Sequence, residues 1–495
     1  MVRLVFTGRY ARGEKLIRKL DLLIVPYAFT VYWVKYIDQG NINNAYVSGM
    51  ADELGFHGNE LVHFQTIFTV GNVVALLPFT YLFPRVPMHY LVPALDLMWG
   101  IFTLLQYRAT SYSEIMAYRF MVSIFEVCHP STCQYKRLTC QASYFPGVHF
   151  VLGSWYKSNE IGRRGGAFYV GLSLGMLTAS LMQTATLNTL DGVHGLAGWR
   201  WLFIVNACAT LPLAIIGCFI YPGTIDKPNR LVISEKDLVL ARARLEKQGT
   251  KVKSAPFSWA LARKIFLTKR FWLVLLWDSL FFNSSANTAS FLLWLKSLNR
   301  FSAARVNELN SISPALGIFF ILFINFSTDL FLERAWAITL ASAFNFTGLV
   351  ILAIWNVPEG AKWFAYSVQY SAVAVSSVLY GWVNVIYRDN IEERAVVLVL
   401  ITAISTMWTC WIPLFTYPTV EGPRFEHGYV YSAVITALLV AMTFLIRYVY
   451  GTNGERDRSL AGGSSALDEE SSSSISNEAV ETDVSKTGHV SVRAD

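Results

Sequence analysis

KYIDQGNINNAYVSGM, residues 35–50, closes the first long apolar run of the chain, Leu20 to Tyr36. That run carries only Asp21 near its start and Lys35 near its end. Lys35 and Asp38 share a face if the run is helical, because residues three apart are neighbours on a helix. Asn41 and Ala45 continue the same face. An acid, a base and amides at the mouth of a membrane span are costly to place there, and such groups pair with one another or line a solute path. The stretch therefore implies a membrane helix whose outer end handles a polar solute.

Composition supports a membrane protein. Of the 495 residues, 54% are hydrophobic and 15% charged, whereas soluble domains carry about 25% charged residues. A run of about 20 apolar residues can cross a bilayer as a helix. About twelve such runs follow one another, near 20–38, 62–83, 88–108, 113–155 (interrupted), 165–186, 199–220, 271–294, 310–328, 335–355, 362–384, 395–416 and 430–449. Trp199, Trp201, Tyr221, Trp294 and Trp363 stand at run ends, as membrane interfaces favour.

The net charge of +7 does not point to nucleic acid. Its positive charges gather in the N-terminal segment, in 221–270 and in short loops such as 156–164, with Lys157, Arg163 and Arg164. Loop 39–61 has no Lys or Arg. By the positive-inside rule both termini are expected in the cytoplasm. Loop 295–309, with Lys296, Arg300 and Arg305, is the one exception. The early residues are too polar, and the first run too long, for a cleavable signal peptide. The six cysteines form no CxxC pair, so neither a disulfide framework nor a metal site is expected.

The runs divide the chain into a cytoplasmic N-terminal segment (1–19), a six-helix half (20–220), a cytoplasmic central loop (221–270), a second six-helix half (271–449) and a tail (450–495). In the loop, ISEKDLVLARARLEKQG (233–249) reads as a surface helix. The tail is Ser-, Gly- and Glu-rich and is expected to be disordered and cytoplasmic. Two halves of six spans fit transporters that rock about a site at the midplane.

Several motifs carry a family resemblance over about 20–450. They are YIDQGNINNAYVSGM (36–50), the Arg119–Glu126 helix, FPGVHFVLGSWYKSNEIGRR (145–164), GWRWLF (198–203), YPGTIDKPNR (221–230), VLYGWVN (378–384), EERAVVL (392–398) and YPTVEGPRF (417–425). Together they resemble the major facilitator superfamily, in its fungal anion:cation symporter branch of allantoate, nicotinate and pantothenate permeases, and most of all its pantothenate-type members. The resemblance implies an all-α membrane protein of twelve transmembrane helices in the major facilitator fold. It departs from the superfamily in loop 84–89, PRVPMH, where only Arg85 remains of a Gly-Asp-Arg-Gly pattern, and at Ser123, which replaces a small Gly.

The fourth span is split. SEIMAYRFMVSIFE (113–126) and ASYFPGVHFVLGSWY (142–156) would join into one helix if VCHPSTCQYKRLTCQ (127–141) were absent. That insert would put His129, Lys136 and Arg137 at membrane depth, where charge is expensive. Our hypothesis is a retained intron: Val127-Cys128 can be encoded by a donor-like sequence, and LTCQ (138–141) by branch-like and acceptor-like ones. A genuine insertion that loops out is the alternative. Transcript sequencing separates them, and only unspliced reads would remove the intron.

Seven residues are candidates for substrate binding or proton coupling: Lys35, Asp38, Asn41, Asn44, Arg119, Glu126 and Asp278. Lys35 and Asp38 read either as an intramembrane ion pair or as an anion contact beside a proton or gating acid. Asn41 and Asn44 could bind solute, with capping of the helix end the favoured role. Arg119 and Glu126 are two turns apart on one face. The fork of Arg119 suits a carboxylate, and Glu126, lying deeper, is placed to take up a coupling proton; the alternative is a pair locking helix 4. Asp278 lies mid-span in the seventh run, near Asn283 and Asn287. Asp96 reads as an interhelical partner and His63 as an interface residue. Gly171, Gly175 and Ala179 form a close-packing stripe.

The expected activity is proton-coupled uptake of a small organic anion, such as pantothenate or a related carboxylate vitamin, by a monomer in the plasma membrane. The alternative is export of a fungal secondary metabolite, weakened because GLSLGMLTAS (171–180) lacks the proline of drug antiporters. The expected partners are the anion, protons and the lipid bilayer, with no nucleic acid, cofactor or metal. No nucleophile–base set or phosphate loop points to an enzyme.

Overall fold

The computed structural model describes residues 2–82, 86–127, 158–223, 228–246, 259–285, 289–330, 332–387 and 391–450. The insert beyond Val127 and Arg85 of loop 84–89 lie outside them, as does the tail beyond Tyr450. Among the described residues the structure is helical, with a single bridge between Gly223 and Pro228 as its only β-type pairing.

The first half holds α1 (Val2–Ala45), α2 (Glu60–Leu82), α3 (Met88–Leu105), α4 (Tyr112–Val127), α5 (Ser158–Thr189) and α6 (Gly198–Ile220). The connection holds α7 (Glu235–Glu246) and α8 (Trp259–Leu267). The second half holds α9 (Lys269–Asn283), α10 (Ser290–Ser297), α11 (Ala303–Asn310), α12 (Ile312–Leu330), α13 (Arg334–Ile354), α14 (Glu359–Val368), α15 (Ser371–Ile386), α16 (Ile391–Thr416) and α17 (Glu426–Tyr450). Every apolar run carries helix, the fourth being described only to Val127. By length and composition, 6 described stretches suffice to cross a bilayer, Leu16–Glu53, Gly198–Ile220, Ala303–Thr328, Arg334–Ile354, Val396–Thr416 and Glu426–Tyr450. Phe319, Leu322, Phe323 and Phe326 on α12, and Ile215, Ile216 and Phe219 on α6, stand exposed, as a lipid-facing surface requires. The chain is a multi-pass membrane protein.

The two halves repeat one packing scheme. α1 packs on α5 as α9 packs on α16, and α2 on α4 as α12 on α15. The halves meet where α2 packs on α16 and α5 on α11 and α12. Counting α9–α10 as the seventh span, α11–α12 as the eighth and α14–α15 as the tenth, a shift of six spans carries each pair onto its counterpart.

The α1–α5 contact depends on small residues. A Cβ at Gly175 would lie 2.5 Å from Tyr36 Cβ, and one at Gly40 would lie 2.9 Å from Ala179 Cβ. Trp33 Nε1 donates to Thr178 Oγ1 across the same seam at 3.0 Å. α1 then loses its regular winding at a π turn, Tyr46–Met50, where Gly49 adopts φ 109°. A side chain there would be strained for lack of a left-handed allowance, so glycine ends the helix.

At the end bearing this turn the halves are tied together. Asn307 Nδ2 donates to Ser48 Oγ at 2.7 Å, Lys296 Nζ lies 3.4 Å from Asp52 Oδ2, and the backbone N–H groups of Val62 and Val420 donate to Thr419 Oγ1 and Asn59 Oδ1. The GWRWLF motif works here. Trp199 Nε1 donates to Glu53 Oε2 at 2.6 Å and Arg200 pairs with Glu53 Oε1 at 2.8 Å. At the opposite end α7 docks on the start of α1 through Leu16, Leu20, Ile233, Leu238 and Ala241, with Lys19 Nζ 2.8 Å from Asp237 Oδ2.

Candidate functional site

α1 carries its polar residues into the interior of the first half, where Lys35, Asp38 and Gln39 meet α3, α4 and α6 rather than lipid. Lys35, Asp38, Asn41 and Asn44 are all buried there. Lys35 does not pair with Asp38. Its Nζ lies 3.5 Å from Glu126 Oε1 on α4, and Gln39 Nε2 donates to the same oxygen at 2.9 Å. The second oxygen, Glu126 Oε2, has no protein partner. Neither a Lys35–Asp38 ion pair nor an Arg119–Glu126 lock is formed in this arrangement.

Asp38 is instead fixed by two neutral donors. Trp99 Nε1 on α3 reaches Oδ2 and Asn206 Nδ2 on α6 reaches Oδ1, both at 3.0 Å. These bonds spend one oxygen each and leave the carboxylate oriented by three helices. Arg119 on α4 stands close enough to act electrostatically on both Asp38 and Glu126. Its guanidinium lies over the Phe68 ring, 4.5 Å from the centroid. Nε and Nη1 are buried and donate to no protein atom. A buried guanidinium with unused donors on two of its nitrogens has charge-assisted hydrogen bonds to give a carboxylate. The Ser123 departure is accommodated opposite Gly71, where an added Cβ would lie 1.8 Å from Ser123 Oγ.

The amides divide. Asn43 accepts from Gln65 Nε2 at 2.9 Å and so joins α1 to α2. Asn41 caps nothing: both its Nδ2 and Oδ1 lack a protein partner, as does Nδ2 of Asn44.

Asp278 lies in the other half, on α9, fully buried. Ser405 and Tyr380 stand beside its carboxyl, but neither reaches hydrogen-bonding geometry on it; they bond Ser279 at 3.1 Å and Thr402 at 2.9 Å instead. No described hydrogen bond or ion pair joins Asp278 to the cluster on α1 and α4. Asn283 turns back to its own helix, donating to the Ser279 carbonyl, and Asn287 lies outside the described residues. Asp96 accepts from Tyr27 Oη at 3.1 Å, an interhelical bond, and His63 bonds Tyr112 at 3.1 Å near the end of the bundle. No cluster of metal-ligating side chains occurs among the described residues.

Gln39, Trp99 and Asn206 complete the cluster without having been singled out in the sequence. Asn206 carried a usable signal, a lone amide within the apolar run 199–220. Gln39 sat inside the opening stretch, between better-known residue types. Trp99 carried none, since a tryptophan in a span usually only packs.

A family model described as the Major Facilitator Superfamily matches residues 139–413. The chain is 38% identical over 458 residues to the vitamin H transporter of Saccharomyces cerevisiae, across 91% of this chain and 74% of that one. It is 31% identical over 442 residues to the pantothenate transporter liz1 of Schizosaccharomyces pombe, across 88% and 82%. Among solved structures, a D-xylose-proton symporter superposes with a TM-score of 0.60 at 10% identity, covering 85% of this chain and 97% of that one. A bacterial homologue of the human lysosomal transporter Spinster, inward-facing and occupied, gives 0.57 at 12% identity, covering 87% and 97%.

Proposed function

The chain belongs to the Major Facilitator Superfamily, and we propose that it imports a small vitamin-type carboxylate together with a proton. It is a transporter and not an enzyme. The vitamin H and pantothenate transporters among its relatives support the substrate class, because both solutes are carboxylates at neutral pH.

The observation that carries the reading is the unspent guanidinium of Arg119 beside the Lys35–Glu126 pair. With all four groups ionised, Lys35 and Arg119 balance Asp38 and Glu126. An incoming carboxylate adds one negative charge to a buried site, which is expensive. A proton on Glu126 cancels it and releases Lys35 to join Arg119 on the anion. Release of that proton from Glu126 restores the Lys35–Glu126 pair and weakens the hold on the solute. Anion and proton thus enter and leave as a neutral set. Asp278, with hydroxyls and, among the described residues, no cation paired to it, supplies a second acid from the opposite half.

The same reading places the protein in the plasma membrane, as a monomer, with both termini in the cytoplasm. Uptake of labelled biotin, pantothenate, nicotinate and allantoate in a permease-deficient yeast tests it. Uptake at acidic external pH that an uncoupler abolishes is expected. No uptake of any of these carboxylates would sink import, and efflux without uptake would leave export in its place.

A further inference from the structure

The charged cluster accounts for a carboxylate, yet the orphaned amides lie elsewhere. On α5, Gln183 is fully buried, and both its Nε2 and Oε1 lack a protein partner. Its neighbours on α5 are used: Ser180, three residues before it, accepts from Asn310 Nδ2 at 2.9 Å, and Thr184, next to it, donates to the Ala304 carbonyl at 3.1 Å.

The register of α1 against α5 places Gln183. An added Cβ at Gly171 would meet Tyr32, one at Gly175 would meet Tyr36, and Gly40 faces Ala179. Each step advances four residues on both helices, so they run parallel. The next step brings Asn44 of α1 level with Gln183 of α5. Asn41 lies one turn back along α1. Three buried amides with unspent donors, two of them with unspent acceptors as well, therefore gather along one seam near the π turn. Burying an amide without a partner is costly, and three along one seam are not expected of packing alone.

We propose that Asn41, Asn44 and Gln183 form a second recognition pole, which binds a planar amide or ureido group of the transported carboxylate. The inference rests on the transport reading given above and narrows its substrate class. Such a group offers donor and acceptor side by side, matching carboxamides that present both. With a rise of about 1.5 Å per residue, Asn41 and Asn44 stand about 4.5 and 9 Å along α1 from the level of Asp38. A solute with its carboxylate in the charged cluster and its amide or urea several bonds away spans that interval. A carboxylate with an apolar far end satisfies only the first pole.

Gln183→Leu and Asn44→Leu test this, each removing the amide and leaving a branched aliphatic side chain. The probe is labelled biotin or pantothenate, whichever the unaltered protein takes up, with nonanoate as competitor. Both variants should raise the half-saturating concentration of the amide-bearing vitamin about tenfold, a loss of one good hydrogen bond, while inhibition by nonanoate changes less than twofold. Thermal stability of the purified variants should hold or rise, because an orphaned polar group has gone. Unchanged vitamin affinity in both variants, equal losses for vitamin and nonanoate, or a fall in stability would each overturn the second pole. Absence of carboxylate uptake by the unaltered protein is a different failure, which removes the transport reading and this inference with it.

Discussion

α1 and α9 hold equivalent places in the two halves, but they carry different chemistry. α1 brings Lys35, Asp38 and Gln39 into a set tied to α3, α4 and α6 by named bonds. α9 brings Asp278 alone, with Ser405 and Tyr380 beside it. Both helices are interrupted toward the same end, α1 at Gly49 and α9 between Asn283 and Ser290. The packing scheme is thus duplicated while the electrostatics are not. Backbone symmetry comes from which small and large residues face which helix. Charge is free to differ, because a few side chains decide it. In the mechanism we propose, the first half exchanges an anion against its own internal ion pair, and the second contributes an acid and hydroxyls.

If that division is right, the largest effect belongs to the first half. Arg119→Ala should lower carboxylate uptake at least about 100-fold, the scale of losing a buried charge-assisted pair. The protein should still reach the membrane, since the Nε and Nη1 donors hold no protein partner and Asp38 keeps its bonds to Trp99 and Asn206. Uptake within a few-fold of the unaltered protein would remove Arg119 from the site. Glu126→Gln should act next most strongly. Uptake by the unaltered protein should rise as external pH falls, because the proposed mechanism makes the proton a co-substrate. The variant should lose that rise and the sensitivity to uncoupler, while exchanging internal for external solute. A variant that keeps its pH response would move proton coupling to another acid, Asp278 first. Asp278→Asn should reduce accumulation about tenfold or less and leave the affinity for the anion in place. A collapse in affinity instead would make the two halves equal contributors and break the comparison.

Much of this frame was legible in the sequence. The apolar runs located the helices, and the stripe at Gly171, Gly175 and Ala179 read as a close seam because its small-residue spacing has a steric meaning. The candidate residues on α1 and α4 also stood out, as ionisable groups in an apolar run must. Their pairing did not. Lys35 and Asp38 share a helical face, which suggested a bond within α1, whereas Lys35 reaches across to Glu126. Same-helix spacing can be counted along the chain; the rotation of α4 against α1 cannot. Asp38 likewise depends on Trp99 and Asn206, which come from 61 and 168 residues away. Breaks in a helix are equally opaque when the breaking residue is ordinary: Gly49 could be guessed, but the interruption after Asn283 has no proline or glycine to announce it.

The smallest effect belongs to the loop that joins the halves, and it guards the interpretation of the others. Lys19 and Asp237 dock α7 on the start of α1, away from the charged cluster. Partial burial pushes the Asp237 carboxyl up, but hydrogen bonds from Lys19 and Ser234 outweigh it and hold the group below its usual value of 3.8. A carboxyl depressed on folding contributes stability that is present above the unfolded value and is lost as pH falls through the lower, folded one. The contribution is therefore complete from about pH 5 upward, across the range in which acid-driven uptake is measured. Being a partly exposed pair, it is worth about 1 kcal/mol or less. Asp237→Asn should lower the melting temperature slightly and leave the pH profile of uptake unmoved. A profile shifted by this substitution would mean that acid acts on the connecting loop, and the loss of pH response in Glu126→Gln could then no longer be assigned to the first half alone.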